Sequence, residues 1–233
     1  MKIIKILIRI FKKVFKYSNY KTNSYSQEGE DLIIDRFFEN QSTGFFIDIG
    51  AHHPRRFSNT YLLYQKGWQG INIDPMPGVM KLFNKERPKD INLEIGISRE
   101  ENILKYYIFN EKALNTFSES EAIIKSKINP TKYFIVNTIN INTYPLEKIL
   151  DKYIDSSKKI DLMSIDVEGL DLDVLKSNDW NKHRPKIILI EELRTNIKAL
   201  FKDSEINSFL EMQNYSLHFR TYNTSFYIDT LVF

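Results

Sequence analysis

Acidic residues stand at the ends of four predicted buried strands. Asp48, Asp74 and Asp166 each lie near the end of a short apolar run, and Glu191 follows a fourth. Ligands of an open parallel sheet bind outside the carboxyl ends of its strands, so we expect these acids to converge on one crevice. A single acid in this position can simply cap the next helix, but four at one sheet edge predict a binding site.

The turn after the first of these strands is small enough for a ligand to approach the backbone. Gly50 and Ala51 add little bulk there, and the G-x-G-x-x-G pattern of pyrophosphate-binding turns is absent. This absence argues against a dinucleotide-dependent oxidoreductase. Asp74, at the end of the second strand, either accepts hydrogen bonds from both hydroxyls of a ribose or caps a helix. Together these features favour a phosphate-free adenosyl cofactor such as S-adenosylmethionine (SAM).

A second acidic pair follows a later strand. Asp166 and Glu168 are two positions apart, so on a strand they point the same way. With Glu191 they are candidates to share a proton, to anchor substrate hydroxyls or to bind a divalent cation, for which oxygen ligands favour Mg²⁺ or Mn²⁺. In the alternative interpretation Glu168 caps the following helix. The chain has no cysteine, which excludes disulfides, thiolate metal sites and a cysteine nucleophile.

Two histidines and two arginines follow the glycine turn. His53 is a candidate general base for an alcohol acceptor, because an unperturbed imidazole titrates near pH 6.5, about half a unit from neutrality. His52 is a candidate for contact with the substrate, and the alternative for both histidines is a role in shaping the loop. Arg55 and Arg56 suit the diphosphate of a nucleotide sugar, or form a solvated surface pair. The net charge of only +3 gives no argument for a nucleic-acid partner.

Strands alternate with helices along most of the chain, which predicts an α/β fold with a mostly parallel sheet between helices. A helix is expected over 27–40, with Ser26 as its N-cap. The predicted third strand covers 91–97, the polar residues 110–132 predict an irregular substrate loop, and 216–233 alternates like an antiparallel C-terminal hairpin. With 42% apolar residues, the chain can fill the core of one domain.

A basic amphipathic helix is predicted ahead of this domain. On a helical wheel the cations of residues 2–17 fall within an arc of about 100° opposite a wide apolar face; they are Lys2, Lys5, Arg9, Lys12, Lys13 and Lys16. Such a helix either lies in an anionic membrane surface or docks on the domain or on a second subunit, which leaves a homo-oligomer open. Interleaved charges and the lack of a small-residue cleavage site argue against a signal peptide. We therefore divide the chain into this helix at 1–20 and one domain at 21–233.

Several short motifs, in order along the chain, resemble the FkbM family of methyltransferases. They lie between residues 25 and 195 and read Ser26-Gln27-Glu28-Gly29-Glu30-Asp31, Phe46-Ile47-Asp48-Ile49-Gly50-Ala51-His52-His53-Pro54, Ser58-Asn59-Thr60, Lys66-Gly67-Trp68-Gln69-Gly70, Ile73-Asp74-Pro75, Ile165-Asp166-Val167-Glu168-Gly169 and Asp173-Val174-Leu175. The resemblance implies a Rossmann-like, SAM-dependent methyltransferase fold with a mostly parallel seven-stranded sheet. Family members commonly have Glu where this chain has Asp74.

Carried over by position, the resemblance also implies roles for individual residues. Asp74 would hold the ribose, and Asp166 would lie nearest the methyl sulfur. The implied cofactor residues are Gln27, Asp48, Gly50, Ala51, Asp74, Ile97, Ser98 and Asp166. The expected catalytic residues are His53, Asp166 and Glu168, and the expected substrate-binding residues are His52, Arg55, Arg56 and Glu191.

The function expected from these features is SAM-dependent O-methylation of a sugar, either in a surface polysaccharide or in its nucleotide-sugar precursor. We expect a cytoplasmic protein, for which contact of residues 2–17 with the inner membrane face stays open. The alternatives are a methyltransferase for a small natural product or lipid, and a protein of this fold that binds SAM without catalysis. A divalent metal stays open, with Asp166, Glu168 and Glu191 as its ligands.

Overall fold

The fold is taken from a computed structural model, which describes residues 22–39, 41–155, 157–193 and 197–232. The amphipathic helix predicted for residues 2–17, and with it the division at residue 20, lies outside the described residues. Among the described helices, none is both long and apolar enough to cross a membrane.

The described residues form ten strands that belong to two sheets. The strands are β1 (Phe45–Ile49), β2 (Gln69–Ile73), β3 (Ile91–Leu93), β4 (Gly96–Ile97), β5 (Asn102–Phe109), β6 (Ile135–Tyr144), β7 (Ile160–Ile165), β8 (Pro185–Glu191), β9 (Tyr215–Arg220) and β10 (Thr224–Asp229). Seven of them make the main sheet, in the order β3-β2-β1-β7-β8-β10-β9. The first five run parallel, and β10 pairs antiparallel with both β8 and β9. This confirms the predicted Rossmann-like architecture with an antiparallel C-terminal hairpin.

Helices cover both faces of the main sheet. They are α1 (Glu30–Phe37), α2 (Tyr61–Gln65), α3 (Val79–Glu86), α4 (Glu119–Ile128), α5 (Leu146–Tyr153), α6 (Asp171–Lys176), α7 (Ile197–Asp203) and α8 (Glu205–Met212). Successive side chains of a strand point to opposite faces, so the apolar runs of the central strands feed two separate cores. Ile47 and Met163 pack in one core, whereas Phe46 and Leu162 pack in the other.

A second, three-stranded sheet lies beside the main one and differs from the prediction. The expected strand over 91–97 is two strands, because β3 pairs with β2 whereas β4 pairs with β6 of the order β4-β6-β5. The segment 110–132, expected to be irregular, contains a 3₁₀ turn at Lys112–Leu114 and helix α4. The hydroxyl of Ser118 accepts from the backbone N–H of Glu121, a cap that the spacing of these two residues already allowed.

The helix expected over 27–40 is shorter, at Glu30–Phe37, and Ser26 is not its N-cap residue. Gly29 holds that position with a φ of 91°, which a residue without a Cβ adopts at little cost. Ser26 still contributes, since its hydroxyl accepts from the N–H groups of Gly29 and Asp31.

Candidate active site

A cavity of about 400 Å³ opens beyond the carboxyl ends of β1, β2, β7 and β8. Its volume lies in the range of small-molecule sites. Gly50, Asp74, Asp166 and Glu191, one from the end of each of these strands, line it. Ligand sites of parallel sheets are expected at this place, so the predicted crevice exists and three of its four predicted acids face it.

Gly50 fixes the floor of the cavity. Its φ is 82°, and a Cβ at this position would lie 1.7 Å from the carbonyl oxygen of Asp166. The Gly50 N–H donates to the carbonyl of Ile73, and the Asp166 N–H donates to that of Ile49, both at 2.9 Å. The ends of β1, β2 and β7 are therefore joined at a point where only glycine fits.

Asp74 is held by backbone donors and still faces the cavity. Its Oδ2 accepts from the N–H of His52 and its Oδ1 from the N–H of Met76, each at 2.8 Å. Burial raises the pKa of its carboxyl to about 6, although both hydrogen bonds oppose the shift. Helix α3 begins only at Val79, so Asp74 does not cap it. The unused lone pairs of the carboxylate are available to a ligand.

Asp48 does not line this cavity, contrary to the prediction. Its carboxylate accepts from the hydroxyl of Thr60 at 2.7 Å, and Arg87 donates to the same hydroxyl at 3.0 Å. Burial raises the pKa of Asp48. The reason is strand alternation: Asp48 shares a face with Phe46, over whose ring the guanidinium of Arg87 lies, whereas the next residue, Ile49, reaches the cavity.

Of the other implied cofactor residues, two line the cavity and two do not. Gln27 and Ile97 line the cavity. Ala51 is absent from its wall and packs against Met80 and Phe83. Ser98 is also absent from the wall, because its hydroxyl bonds Thr143 and the carbonyl of Glu100.

Three carboxylates meet on the far wall of the cavity. One oxygen from each of Asp166, Glu168 and Glu191 lies within 4.8 Å of the other two. We call these residues the acid triad. Burial is the largest cause that raises the pKa of Glu191 to about 8, and the charge of Glu168 adds to it. Burial also raises the pKa of Asp166, with the charge of Glu191 next in importance.

Lys125 supplies a cation to the acid triad, and its role was not predicted. Its Nζ lies 2.5 Å from Oε2 of Glu168, and both side chains are nearly buried. The Thr116 hydroxyl donates to the backbone carbonyl of Glu168 at 2.7 Å. Glu168 has a φ of 56°, which is uncommon for a residue with a side chain. Thr116 and Lys125, from the segment that contains α4, therefore fix the position of Glu168 in the acid triad.

Glu168 is not a helix cap, so that alternative is wrong. The neighbouring carboxylate of Asp171 instead accepts from the N–H groups of Val167 and Gly169, at 3.2 and 3.0 Å. Burial raises the pKa of Asp171 to about 6. Asp171 thus fixes the turn, and the Glu168 carboxylate pairs with Lys125 at the cavity wall.

His52 and Arg56 line the cavity and contact each other. Burial, followed by the charge of Arg56, lowers the pKa of His52 to about 4. Arg56 donates to both carboxylate oxygens of Glu111, at 3.0 and 3.1 Å, and to Nε2 of His52 at 3.2 Å. It also lies over the ring of Phe57. His52 is therefore a neutral ring at neutral pH, next to an arginine that is already paired.

His53 and Arg55 do not line the cavity that holds the acid triad. Nδ1 of His53 accepts from the N–H groups of Arg55 and Arg56, both at 3.0 Å, and its ring faces an adjoining cavity of about 600 Å³. Arg55 forms an ion pair with Glu86 at 2.6 Å. The structure thus separates His53 from Asp166 and Glu168, the two residues with which we grouped it as catalytic.

Comparison with known proteins decides the class. A family model described as "Methyltransferase FkbM domain" matches residues 48–217 of the chain. The chain belongs to the FkbM methyltransferase family. No curated protein matches the chain, and no solved structure does.

The FkbM domain match contains most of the site. It includes the Gly50 turn, Asp74, Lys125 and the whole acid triad, whereas Gln27 precedes it. The protein is thus an FkbM methyltransferase whose cavity is bounded by Asp74 on one side and by three carboxylates on the other.

Proposed function

We propose that this FkbM methyltransferase transfers a methyl group from SAM to a hydroxyl oxygen of a sugar, in a surface polysaccharide or a nucleotide-sugar precursor. The observation that carries the proposal is one cavity with two chemically different ends. Asp74 stands at one end, and the acid triad stands at the other. The first suits the cofactor, and the second suits a polyhydroxylated acceptor.

At the cofactor end, the chemistry matches a nucleoside without phosphates. Asp74 has lone pairs free to accept from the two hydroxyls of a ribose, and apolar side chains of Ile95 and Ile97 border the same space. The Gly50 turn keeps side chains away from the cofactor path. Asp166 adds a carboxyl group beside this turn. Burial and the charge of Glu191 raise its pKa, and a ligand that carries a sulfonium and an ammonium group would favour its ionised form.

At the acceptor end, methyl transfer needs a proton acceptor. The new C–O bond forms as the C–S bond of the sulfonium breaks, and the hydroxyl proton passes to a base, leaving S-adenosylhomocysteine. Glu191 suits this role best, because a base with a pKa near the working pH of about 7 is most effective and that of Glu191 is about 8. His52, with a pKa of about 4, is the weaker candidate. The acid triad as a whole also accepts hydrogen bonds from sugar hydroxyls.

A divalent cation is the second candidate occupant of the acid triad. Three carboxylate oxygens within 4.8 Å are a donor set of the kind that Mg²⁺ or Mn²⁺ prefers. Lys125 already supplies a positive charge to Glu168, which favours hydroxyl binding over metal binding. Adding Mn²⁺ or a chelator to the turnover assay distinguishes the two roles.

A nucleotide-sugar acceptor is supported by the adjoining cavity. It shares Asp74, His52 and Arg56 with the first, and the exposed Lys112 also lines both. Arg56 is paired with Glu111, so Lys112 is the better candidate for a diphosphate. The predicted substrate contact of Arg55 has no support from its position, because Arg55 lines neither cavity, and His53, which was predicted to be catalytic, lines only the adjoining one.

The test is a turnover screen with a panel of nucleotide sugars, in which S-adenosylhomocysteine is measured. Turnover with any member separates an enzyme from a protein that only binds SAM, and the preferred member separates sugars from natural products and lipids. Before the screen, SAM should raise the melting temperature and NAD should not, because only a ligand that binds the native state stabilises it. No shift with SAM would contradict the proposal.

A further inference from the structure

An exposed apolar surface borders the mouth of the cavity. It is formed by the end of α4, the turn that follows and the start of β6; its members, which we call the apolar lip, are Ile123, Ile124, Ile128, Phe134, Ile135 and Val136. Four of them are about half or more exposed, at 64% for Ile128, 54% for Val136 and 47% for both Ile123 and Phe134. A contiguous exposed apolar patch marks an interaction site more often than scattered apolar residues do.

The parts of the apolar lip are close together because the turn between them is compact. Ile124 and Ile128 lie one turn apart on the same side of α4. The N–H groups of Lys132 and Tyr133 both donate to the carbonyl of Asn129, at 3.0 and 2.8 Å, which closes the turn. This short closed turn joins the end of α4 at Ile128 to Phe134. Ile128 and Tyr133 also line the cavity, so the lip and the site share an edge.

In the segment that carries the apolar lip, every charged side chain is positive. Residues 122–146 contain no Asp or Glu, and the lip alternates with Lys127 and Lys132, both exposed. The third lysine of the segment, Lys125, turns inward to Glu168. A surface with large apolar side chains and unopposed lysines complements the headgroup region of an anionic bilayer.

We propose that the apolar lip docks this protein on an anionic lipid surface, with the mouth of the cavity beside the membrane. The inference goes beyond the proposed chemistry and does not depend on it. A symmetric dimer through the same surface is less favourable, because an isologous contact would bring Lys127 and Lys132 of two copies together. The lip is separate from residues 2–17, for which membrane contact stays a prediction from the sequence.

The experiment is sedimentation of the full chain with vesicles of phosphatidylcholine, alone or mixed with phosphatidylglycerol. We expect binding to the mixed vesicles, weaker binding to the neutral ones, and a loss as salt is raised. The double variant Phe134→Ser with Val136→Ser, at two exposed lip residues that do not line the cavity, should weaken binding by about tenfold or more, since two apolar side chains no longer leave water. Lys127→Glu with Lys132→Glu should weaken binding to the anionic vesicles specifically.

Matched control variants change equally exposed residues elsewhere. Met212 and Leu231 are 71% and 66% exposed and lie outside the lip, so Met212→Ser with Leu231→Ser should bind vesicles like the wild type. Lys85→Glu with Lys89→Glu is the corresponding charge control, at two exposed lysines. All variants should keep the rise in melting temperature that S-adenosylhomocysteine causes. This measurement shows that the cavity is intact without involving the membrane.

Three outcomes would overturn the proposal. The first is a wild-type chain that does not bind anionic vesicles. The second is lip variants that bind as well as the wild type, which would assign the binding to another segment such as residues 2–17. The third is a wild-type dimer that the lip variants convert to monomers without any effect on vesicle binding, which would assign the lip to a second copy of the chain.

Discussion

The ammonium of Lys125 lies 2.5 Å from a carboxylate oxygen of Glu168, and the pair is nearly buried at the wall of the cavity. Two more carboxylates, from Asp166 and Glu191, lie within 4.8 Å. One fixed cation thus faces three acids, and it comes from helix α4 and not from the main sheet.

Replacement of Lys125 by Met should both destabilise the protein and open the acid triad to cations. Loss of one partner of a buried ion pair costs about 3–5 kcal/mol of unfolding free energy, since the other charge is left uncompensated. The same loss should tighten Mn²⁺ binding by about tenfold or more, because the internal cation no longer competes. Urea unfolding and calorimetric Mn²⁺ titration measure the two effects.

The control for Lys125→Met is Lys127→Met, which changes an exposed lysine two positions along the same helix. It should leave both quantities near their wild-type values. An unchanged Mn²⁺ affinity in Lys125→Met would show that the lysine does not compete with cations for the acid triad.

Replacement of Gly50 by Ala should prevent stable folding or remove several kcal/mol of unfolding free energy. The added Cβ would lie 1.7 Å from the carbonyl oxygen of Asp166, and the backbone at both positions is tied to neighbouring strands. Gly67→Ala is the matched control, because Gly67 has a φ of 102° but no atom within 4 Å of an added Cβ. It should lose only about 1–2 kcal/mol from backbone strain. Similar losses in both variants, measured by urea unfolding, would contradict the close approach of Gly50 to Asp166.

The affinity for S-adenosylhomocysteine should rise as the pH is raised through about 6. The pKa of Asp74 is about 6, and only the ionised carboxylate accepts from both ribose hydroxyls. If the ligand binds only this form, the affinity increases about tenfold between pH 5 and pH 7 and then levels off. Calorimetric titration over this range measures it. Asp74→Asn should bind more weakly and lose the dependence on pH, and a variant that keeps the wild-type profile would remove Asp74 from the cofactor site.

Asp74 should also make the unfolding free energy depend on pH. The affinity for the cofactor rises with pH, but this contribution to stability falls. Its pKa is raised on folding, from 3.8 to about 6, so the protonated form favours the native state. That contribution is complete below pH 3.8 and is lost as the pH rises toward 6. In the absence of cofactor, unfolding free energies of the wild type should therefore fall more over this window than those of Asp74→Asn. A steeper fall in the variant would reverse the assignment.

Replacement of Glu191 by Gln should abolish most turnover without loss of cofactor binding. If Glu191 takes the hydroxyl proton, its removal lowers kcat by about 10²–10⁴. Glu192→Gln is not a suitable control, because the buried Glu192 carboxylate bonds Tyr227 and Ser204. His53→Gln, at a residue that lines only the adjoining cavity, tests the other predicted base and should keep far more turnover than Glu191→Gln. Loss of activity in His53→Gln with full activity in Glu191→Gln would transfer the role of base to the histidine.

The sequence was sufficient for the parts of the site that depend on strand ends. Apolar runs that stop at a glycine or proline locate the strands, and Asp74, Asp166 and Glu191 follow from the geometry of a parallel sheet. Asp48 was assigned wrongly because a shift of one residue along a strand turns a side chain to the other face, and Ile49 holds the favourable place.

Other parts could not be predicted because they depend on tertiary packing. Lys125 and Glu168 are 43 positions apart, and their contact exists only because α4 packs over the turn at Gly169. The strand β4 has only two residues, which is too short for a periodic pattern. The sequence therefore could not show that β4 belongs to the second sheet and not to the main one. His53 carries no mark that distinguishes it from His52, yet one ring enters the acid cavity and the other does not.

Strands β1 and β7 are adjacent in the sheet although most of the domain lies between them in the chain; the N–H of Phe45 donates to a carboxylate oxygen of Asp161, 116 positions away. The floor of the cavity therefore cannot exist in a nascent chain that has not yet delivered β7. Long-range pairing of this kind is slow to form, since loop closure must precede the contacts that reward it. A ligand that contacts both Gly50 and Asp166 can bind only after β7 has paired with β1. Such a ligand would therefore stabilise the folded protein without affecting the early steps of folding.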